Sequence, residues 1–207
     1  GRSAKKGVRR IRKVMEIIPA ILTDKQSELI ELIERIKRSK KFTRVQIDFV
    51  DGKYAANKSI TPLRMKLRWG QGLKFDAHLM VVEKNLQEYL KGLAKFDRII
   101  VQMESVARPE DFDCLALDIH SPIESIKPYL PKLKLVNLMS IEPGFGGQEL
   151  DLKILQKISH LSNLRDLRNL KLKICVDGGV EKQHLPMLQN LGVDEVAVGA
   201  RRVLEWN

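Results

Sequence analysis

Apolar, strand-like runs alternate with helix-like segments along the whole chain, and this rhythm limits the fold more than any other feature. The runs cover 14–22, 45–50, 74–80, 98–103, 114–119, 134–139, 171–176 and 195–198. Leu29, Ile30, Ile33 and Ile36 fall at helical spacing, which predicts a helix over 25–39 with Asp24 placed to cap it. Further helices are predicted over 83–96, 149–170 and 181–191, with short ones after Pro62 and over 122–129. Between Glu104 and the fifth run there is room only for a turn or a short helix, and after the eighth only a helical stub remains. Eight strands with interleaved helices predict an α/β fold, the closed parallel (β/α)8 TIM barrel. Its segment after strand four is shortened and its last helix truncated.

The ends of the last three runs share a chemistry. Strand six leads into Gly144-Phe145-Gly146-Gly147, strand seven into Asp177-Gly178-Gly179, and strand eight into Gly199-Ala200. Glycines let a backbone turn with positive φ and aim its N–H groups inward together, a cradle suited to an anion. A parallel βα barrel brings consecutive strand ends to one rim, often with a phosphate site near the last strands.

The 207 residues suffice for one domain with a full core, expected over 15–207. The net charge is +11, but seven of those charges, from Arg2, Lys5, Lys6, Arg9, Arg10, Arg12 and Lys13, lie in residues 1–14, which hold no acid. That stretch is expected to be a solvated basic arm, or to include a cloning remnant in Gly1-Arg2-Ser3. The four charges left over are ordinary, so nucleic acid is not the expected partner. No apolar run is long enough to span a bilayer and no secretory signal is visible. Cys114 and Cys175 sit in apolar runs and fit buried free thiols of a cytoplasmic protein better than a disulfide.

In such a barrel chemistry sits at the C-terminal ends of strands. The polar residues there are Gln46, Asp48, Asp51, Asp76, His78, Gln102, Glu104, Asp118, His120, Glu142 and Asp177. Asp48, His78 and Asp177 each interrupt an apolar run. His78 alone would suit a hydrogen-bonded core position; beside two carboxylates from other strands it reads as part of a site. A carboxylate in a barrel mouth costs several kcal/mol unless it is paired, protonated or bound to metal. Two carboxylates across a pocket can take a proton from one face of a carbon and return it to the other. A divalent cation between them would stabilise an enediolate oxygen.

The sequence resembles the ribulose-phosphate 3-epimerase family from about Glu16 to Val203. The resemblance is carried by Ile18-Pro19-Ala20-Ile21-Leu22, Val45-Gln46-Ile47-Asp48-Phe49-Val50-Asp51-Gly52, Asp76-Ala77-His78-Leu79-Met80, the stretch from Met139 to Gln148, and Val176-Asp177-Gly178-Gly179-Val180. It implies a (β/α)8 barrel that interconverts D-ribulose 5-phosphate and D-xylulose 5-phosphate by inverting one carbon. It makes Asp48 and Asp177 the acid and base. Asp48, His78, Asp177 and the position of Gln46 become ligands of a divalent metal (Zn, Fe, Mn or Co). Met80 and Met139, with Ala20 and Glu142, fall to the pocket wall. Gly144, Phe145, Gly146, Gly147, Gly178, Gly179, Gly199 and Ala200 fall to the phosphate.

Five positions depart from the family pattern. Gln46 replaces the first metal histidine, and an amide oxygen is a weaker ligand than imidazole. Ala20 and Ala200 replace serines, Gln102 a histidine and Glu142 an asparagine. A carboxylate at Glu142 would repel a phosphorylated substrate by ~1 kcal/mol at close range in water. Two readings follow: an active epimerase of a phosphorylated ketose, or a repurposed barrel that binds a phosphorylated ligand without turning it over. Self-association is expected if the shortened helices leave apolar surface exposed.

Overall fold

The computed structural model describes residues 14–67, 69 and 72–206. The basic arm, apart from Val14, lies outside the described residues. Eight parallel strands, β1 (Glu16–Ile21), β2 (Arg44–Val50), β3 (Lys74–Met80), β4 (Arg98–Gln102), β5 (Cys114–Leu117), β6 (Leu135–Met139), β7 (Lys173–Asp177) and β8 (Glu195–Gly199), close into a barrel in sequential order. The circle is completed by β1 pairing with β8, from Glu16↔Glu195 to Ala20↔Gly199. The helices are α1 (Gln26–Ser39), α2 (Glu83–Lys91), α3 (Ile123–Ile126), α4 (Ile154–Leu167), α5 (Leu185–Asn190) and α6 (Ala200–Leu204). The expected (β/α)8 barrel is therefore present. None of its helices, among the described residues, is long and apolar enough to cross a membrane.

The two-residue period of the strands sorts side chains into two cores. Val45, Ile47 and Phe49 of β2, with Phe75, Ala77 and Leu79 of β3, join Leu29, Leu32, Ile33 and Ile36 of α1 in the large outer core. The alternate positions point into the barrel and fill it in layers. The middle layer is small: Ala20, Ile100, Cys114, Ala116, Leu135, Cys175 and Ala197. Both cysteines are buried and free.

Below that layer lies a buried ionic one. Arg44 Nη1 stands 2.5 Å from Asp76 Oδ1, and Arg98 Nη2 stands 2.6 Å from Asp76 Oδ2 and 2.8 Å from Glu195 Oε2. Lys173 Nζ closes on the other oxygen of Glu195. A hollow of about 690 Å³ at this N-terminal end, lined by Met15, Phe42, Lys173 and Trp206 among others, carries none of the site residues. Above the middle layer the interior turns polar again, and the opening there is the site.

Several boundaries differ from those expected. Asp24 does not cap α1: Thr23 Oγ1 accepts the Lys25 N–H and donates to Glu28, so α1 starts at Gln26. After Pro62 the described residues form only a turn. α2 stops at Lys91 because Gly92 packs on that turn; a Cβ there would sit 2.6 Å from Pro62 Cβ. α4 begins at Ile154 rather than residue 149, because the Asp151 N–H bonds back to Ser140 O (3.0 Å) and keeps the chain on the rim. The segment expected over 181–191 is a 3-10 turn at Lys182–His184 followed by α5, with Pro186 in its first turn. Between β4 and β5 two 3-10 turns, Met103–Ser105 and Pro109–Asp111, replace the usual helix.

Candidate active site

Inward-facing positions near the C-terminal ends of the strands bring Gln46 and Asp48 from β2, His78 from β3, Gln102 from β4, Asn137 from β6 and Asp177 from β7 into one cluster. The register pairs Asp48 with His78 directly. Gln46, His78, Gln102 and Asn137 are sealed, at 0–1% exposure, whereas Asp48 (8%) and Asp177 (6%) keep an edge open. The two carboxylates are thus the members best placed to meet a ligand.

His78 Nδ1 lies 3.4 Å from Asp48 Oδ1 and 3.3 Å from Asp177 Oδ2. Gln46 Nε2 donates to those same two oxygens, each at 2.8 Å, and stands 3.4 Å from His78 Nδ1. Asn137 Nδ2 donates to Asp177 Oδ2 at 2.9 Å. Behind the imidazole, Gln102 Nε2 is 3.1 Å from His78 Nε2.

These contacts drive the two acids apart. Burial pushes the Asp48 carboxyl above its ordinary range, and the charge of Asp177 adds to it; hydrogen bonds from His78 and Gln46 do not cancel that. Burial acts on Asp177 too, but His78, Asn137 and Gln46 together hold it below the ordinary range. Burial would lower His78, yet the hydrogen bonds and charges of Asp177 and Asp48 raise it to about 9. The Asn137 amide bonds Asp177 and has no counterpart at Asp48. Asp48 is thus the weaker and Asp177 the stronger acid of the pair, with His78 raised beside them.

Asp48, His78 and Asp177 form a group of the kind that can hold a divalent metal, their nearest ligand atoms all lying within 4.8 Å of one another. Gln46 breaks the pattern. It turns an N–H2 group, not its oxygen, toward all three. A donor cannot ligate a cation, so the four-residue set in this arrangement does not fit one.

Above the cluster opens a cavity of about 480 Å³. Ala20, Met80 and Met139 line it beside Asp48, His78 and Asp177. Gly144, Phe145, Gly146 and Gly147 form part of its rim, and Gly178, Gly179, Gly199 and Ala200 another part. Three of these glycines are demanded by packing: at Gly178 (φ +104°) a Cβ would sit 2.3 Å from Ile141 Cγ1. A Cβ at Gly144 (φ +87°) would sit 2.4 Å from Ala55 Cβ, and one at Gly179 (φ +65°) 2.4 Å from the Leu150 nitrogen. At Gly146 and Gly199 a Cβ would meet no heavy atom within 4 Å.

Glu142 does not belong to the pocket wall where the resemblance put it. Its side chain is 61% exposed and pairs with His120 at 2.5 Å, outside the residues lining the cavity. Gln148 causes this: its side-chain amide donates to the carbonyls of Glu142 and Phe145 and folds the loop with Glu142 outward. The sequence reading missed Arg201 and Arg202, which also line the cavity. Arg201 pairs with Glu28, and Arg202 Nη1 reaches Val180 O at 3.4 Å. Two cations directly after Gly199-Ala200 were the available signal. Asn57, whose amide donates to Gly144 O at 2.9 Å, carried none, because nothing local ties it to a loop 87 residues away.

Residues 16–203 match the Ribulose-phosphate 3 epimerase family. The chain is similar to the ribulose-phosphate 3-epimerase of Bacillus subtilis, 31% identical over 170 residues that cover 75% of this chain and 77% of that protein. It is 32% identical to the ribulose-phosphate 3-epimerase of Helicobacter pylori over 168 residues, 75% of this chain and 77% of the relative. To the chloroplastic ribulose-5-phosphate-3-epimerase of Arabidopsis thaliana it is 27% identical over 172 residues, 75% of this chain and 60% of the relative.

Proposed function

This chain belongs to the ribulose-phosphate 3-epimerase family, and we propose that its barrel inverts C3 of a phosphorylated ketopentose of the ribulose 5-phosphate/xylulose 5-phosphate type. The observation that carries the reading is the pair Asp48 and Asp177. They come from β2 and β7, three strands apart around the barrel, meet at the floor of one cavity, and are pushed in opposite directions in acidity. Titratable partners separated by their surroundings are what a two-faced proton transfer requires.

In this reading Asp177, held ionised, removes the C3 proton. The C–H electron pair becomes the C2–C3 double bond and the carbonyl pair moves onto O2, giving an enediolate. Asp48, which carries a proton, delivers it to the opposite face of C3 as the electrons return. The sugar leaves with one centre inverted, and the two carboxyls have exchanged protonation. The imidazolium of His78 lines the cavity and places a positive charge by the developing oxyanion. Met80 and Met139 keep water from the carbanionic carbon. The glycine loops would receive the phosphate, with Arg201 and Arg202 adding the positive charge that Ala200, lacking a hydroxyl, does not supply.

The test is exchange of the C3 proton of ribulose 5-phosphate with solvent deuterium, followed by NMR. The unmodified protein should incorporate deuterium and Asp177→Asn should not. A protein that binds the sugar phosphate without any C3 exchange would overturn the epimerase reading and leave the binding barrel in its place.

A further inference from the structure

We propose that the Gln46 amide takes the place of a metal ion in this chain, bridging Asp48 and Asp177 through its two N–H bonds so that the site works without a bound cation. The proposal rests on the epimerase reading for what the site does, but not for how it is assembled. Nε2 stands 2.8, 2.8 and 3.4 Å from Asp48 Oδ1, Asp177 Oδ2 and His78 Nδ1, the three atoms that would otherwise share a metal. One planar NH2 group has two hydrogens roughly 120° apart, and each meets a carboxylate from a different strand.

The charges around the amide fix this orientation. Turned by half a revolution, Gln46 would set Oε1 against the same two carboxylate oxygens, lone pair against lone pair, and both acids would lose a donor. A bound cation would favour that arrangement, but without one Asp177 Oδ2 would face a lone pair where it now accepts a hydrogen bond. Amide nitrogen and cation therefore exclude one another. Gln46 is 1% exposed within β2, so binding an ion would mean breaking two hydrogen bonds, the one to Asp177 charge-assisted, and rotating a buried side chain. Asp177 resists further, because its Oδ2 also accepts from Asn137 and both its lone pairs are engaged. With Gln102 against His78, each residue of the acidic cluster faces a carboxamide. A neutral bridge holds the two carboxylates together as a cation would, without adding the charge that would force both to ionise.

The experiment titrates Co2+ into the purified, chelator-treated full chain and into Gln46→His, read by visible absorption and metal analysis. The unmodified chain should show no ligand-field band and hold substoichiometric metal, whereas Gln46→His should take up one ion per chain. C3 exchange by the unmodified chain should survive the chelator. Gln46→Leu should lose about 100-fold in exchange, with no recovery on adding metal. One Co2+ per unmodified chain, or exchange lost to the chelator and restored by metal, would overturn the proposal, as would a Gln46→Leu protein as fast as its parent. The cobalt titration decides the matter whether or not sugar is turned over. Absence of exchange with and without metal counts against the epimerase reading alone.

Discussion

Exchanging Gly199 for alanine should spare the fold and damage the site, whereas the same exchange at Gly179 should damage the fold. Gly199 ends β8 with φ −45° and ψ 125°, angles open to any residue, and a Cβ there meets nothing within 4 Å. Alanine therefore adds no clash, and by restricting the unfolded chain it raises stability by about 0.4–1 kcal/mol. It also puts a methyl on the rim where phosphate is proposed to rest. Losing one charge-assisted backbone contact, about 1.5–3 kcal/mol, weakens sugar-phosphate binding about 10- to 100-fold. Gly179 has φ +65°, and its Cβ would fall 2.4, 2.6 and 2.7 Å from Leu150 N, Glu149 C and Leu150 Cα, all backbone atoms that no rotamer change can move. The left-handed angle costs about 1–2 kcal/mol and the overpacking about 1–3. Together these lower Tm by roughly 5–20 °C in a domain of this size. Thermal melts followed by circular dichroism and calorimetric titration with ribulose 5-phosphate read both effects. Undiminished affinity in Gly199→Ala would refute the position of the cradle. An unchanged melting temperature in Gly179→Ala would refute the packing argument.

Arg202→Ala should raise KM for the phosphorylated ketose with little change in kcat, because a phosphate-binding cation acts on ground and transition states alike. Arg201→Ala should do less, its guanidinium being already engaged by Glu28; equal kinetics in all three proteins would remove both arginines from the phosphate site. Stability should also fall with alkalinity. His78 is raised from 6.5 to about 9, so its contribution is complete below pH 6.5 and lost as pH rises through 9, on the order of 3 kcal/mol in all. Urea unfolding across that window should show the decline, and His78→Gln should flatten it; a profile already flat in the parent would contradict a charged imidazole in the cluster.

The barrel was legible because its strands are buried on both faces and read as apolar runs. Asp48, His78 and Asp177 were legible for the complementary reason, since a charge inside such a run has few explanations. Helix starts were harder: α4 begins late because of one long-range backbone bond, Asp151 N to Ser140 O, that no local pattern encodes. Glu142 was misplaced because loop folding by the Gln148 amide decides which way it points. Gln46 was flagged as an unusual ligand, but the orientation of its amide depends on a carboxylate 131 residues away. Residue type can be read from one strand; the direction of a carboxamide needs the charges that the barrel brings around it.

The two ends of the barrel interior both bury a pair of carboxyls, but surround them with different partners. At the N-terminal end Asp76 and Glu195 are fully buried, yet Arg44, Arg98 and Lys173 meet their oxygens. Burial would raise Glu195, but Arg98 and Lys173 outweigh it and hold it below the ordinary range; at Asp76 burial prevails over Arg98 and Arg44 and the carboxyl is raised. Glu195 is thereby held as a carboxylate, bound on both oxygens by cations. At the C-terminal end two carboxylates share one imidazole, and the remaining partners are neutral amides. Amides satisfy lone pairs without adding charge, so the repulsion between Asp48 and Asp177 is only partly relieved. A proton would relieve it, and the shifts favour the acid with fewer donors, Asp48, as its holder. The scarcity of positive charge at this end is therefore what separates the acidities of Asp48 and Asp177, as the proposed proton transfer requires. A guanidinium in place of either amide would favour the ionised form of the carboxyl it touched, and under the proposed mechanism would leave Asp48 a poorer donor of the proton that returns to the sugar.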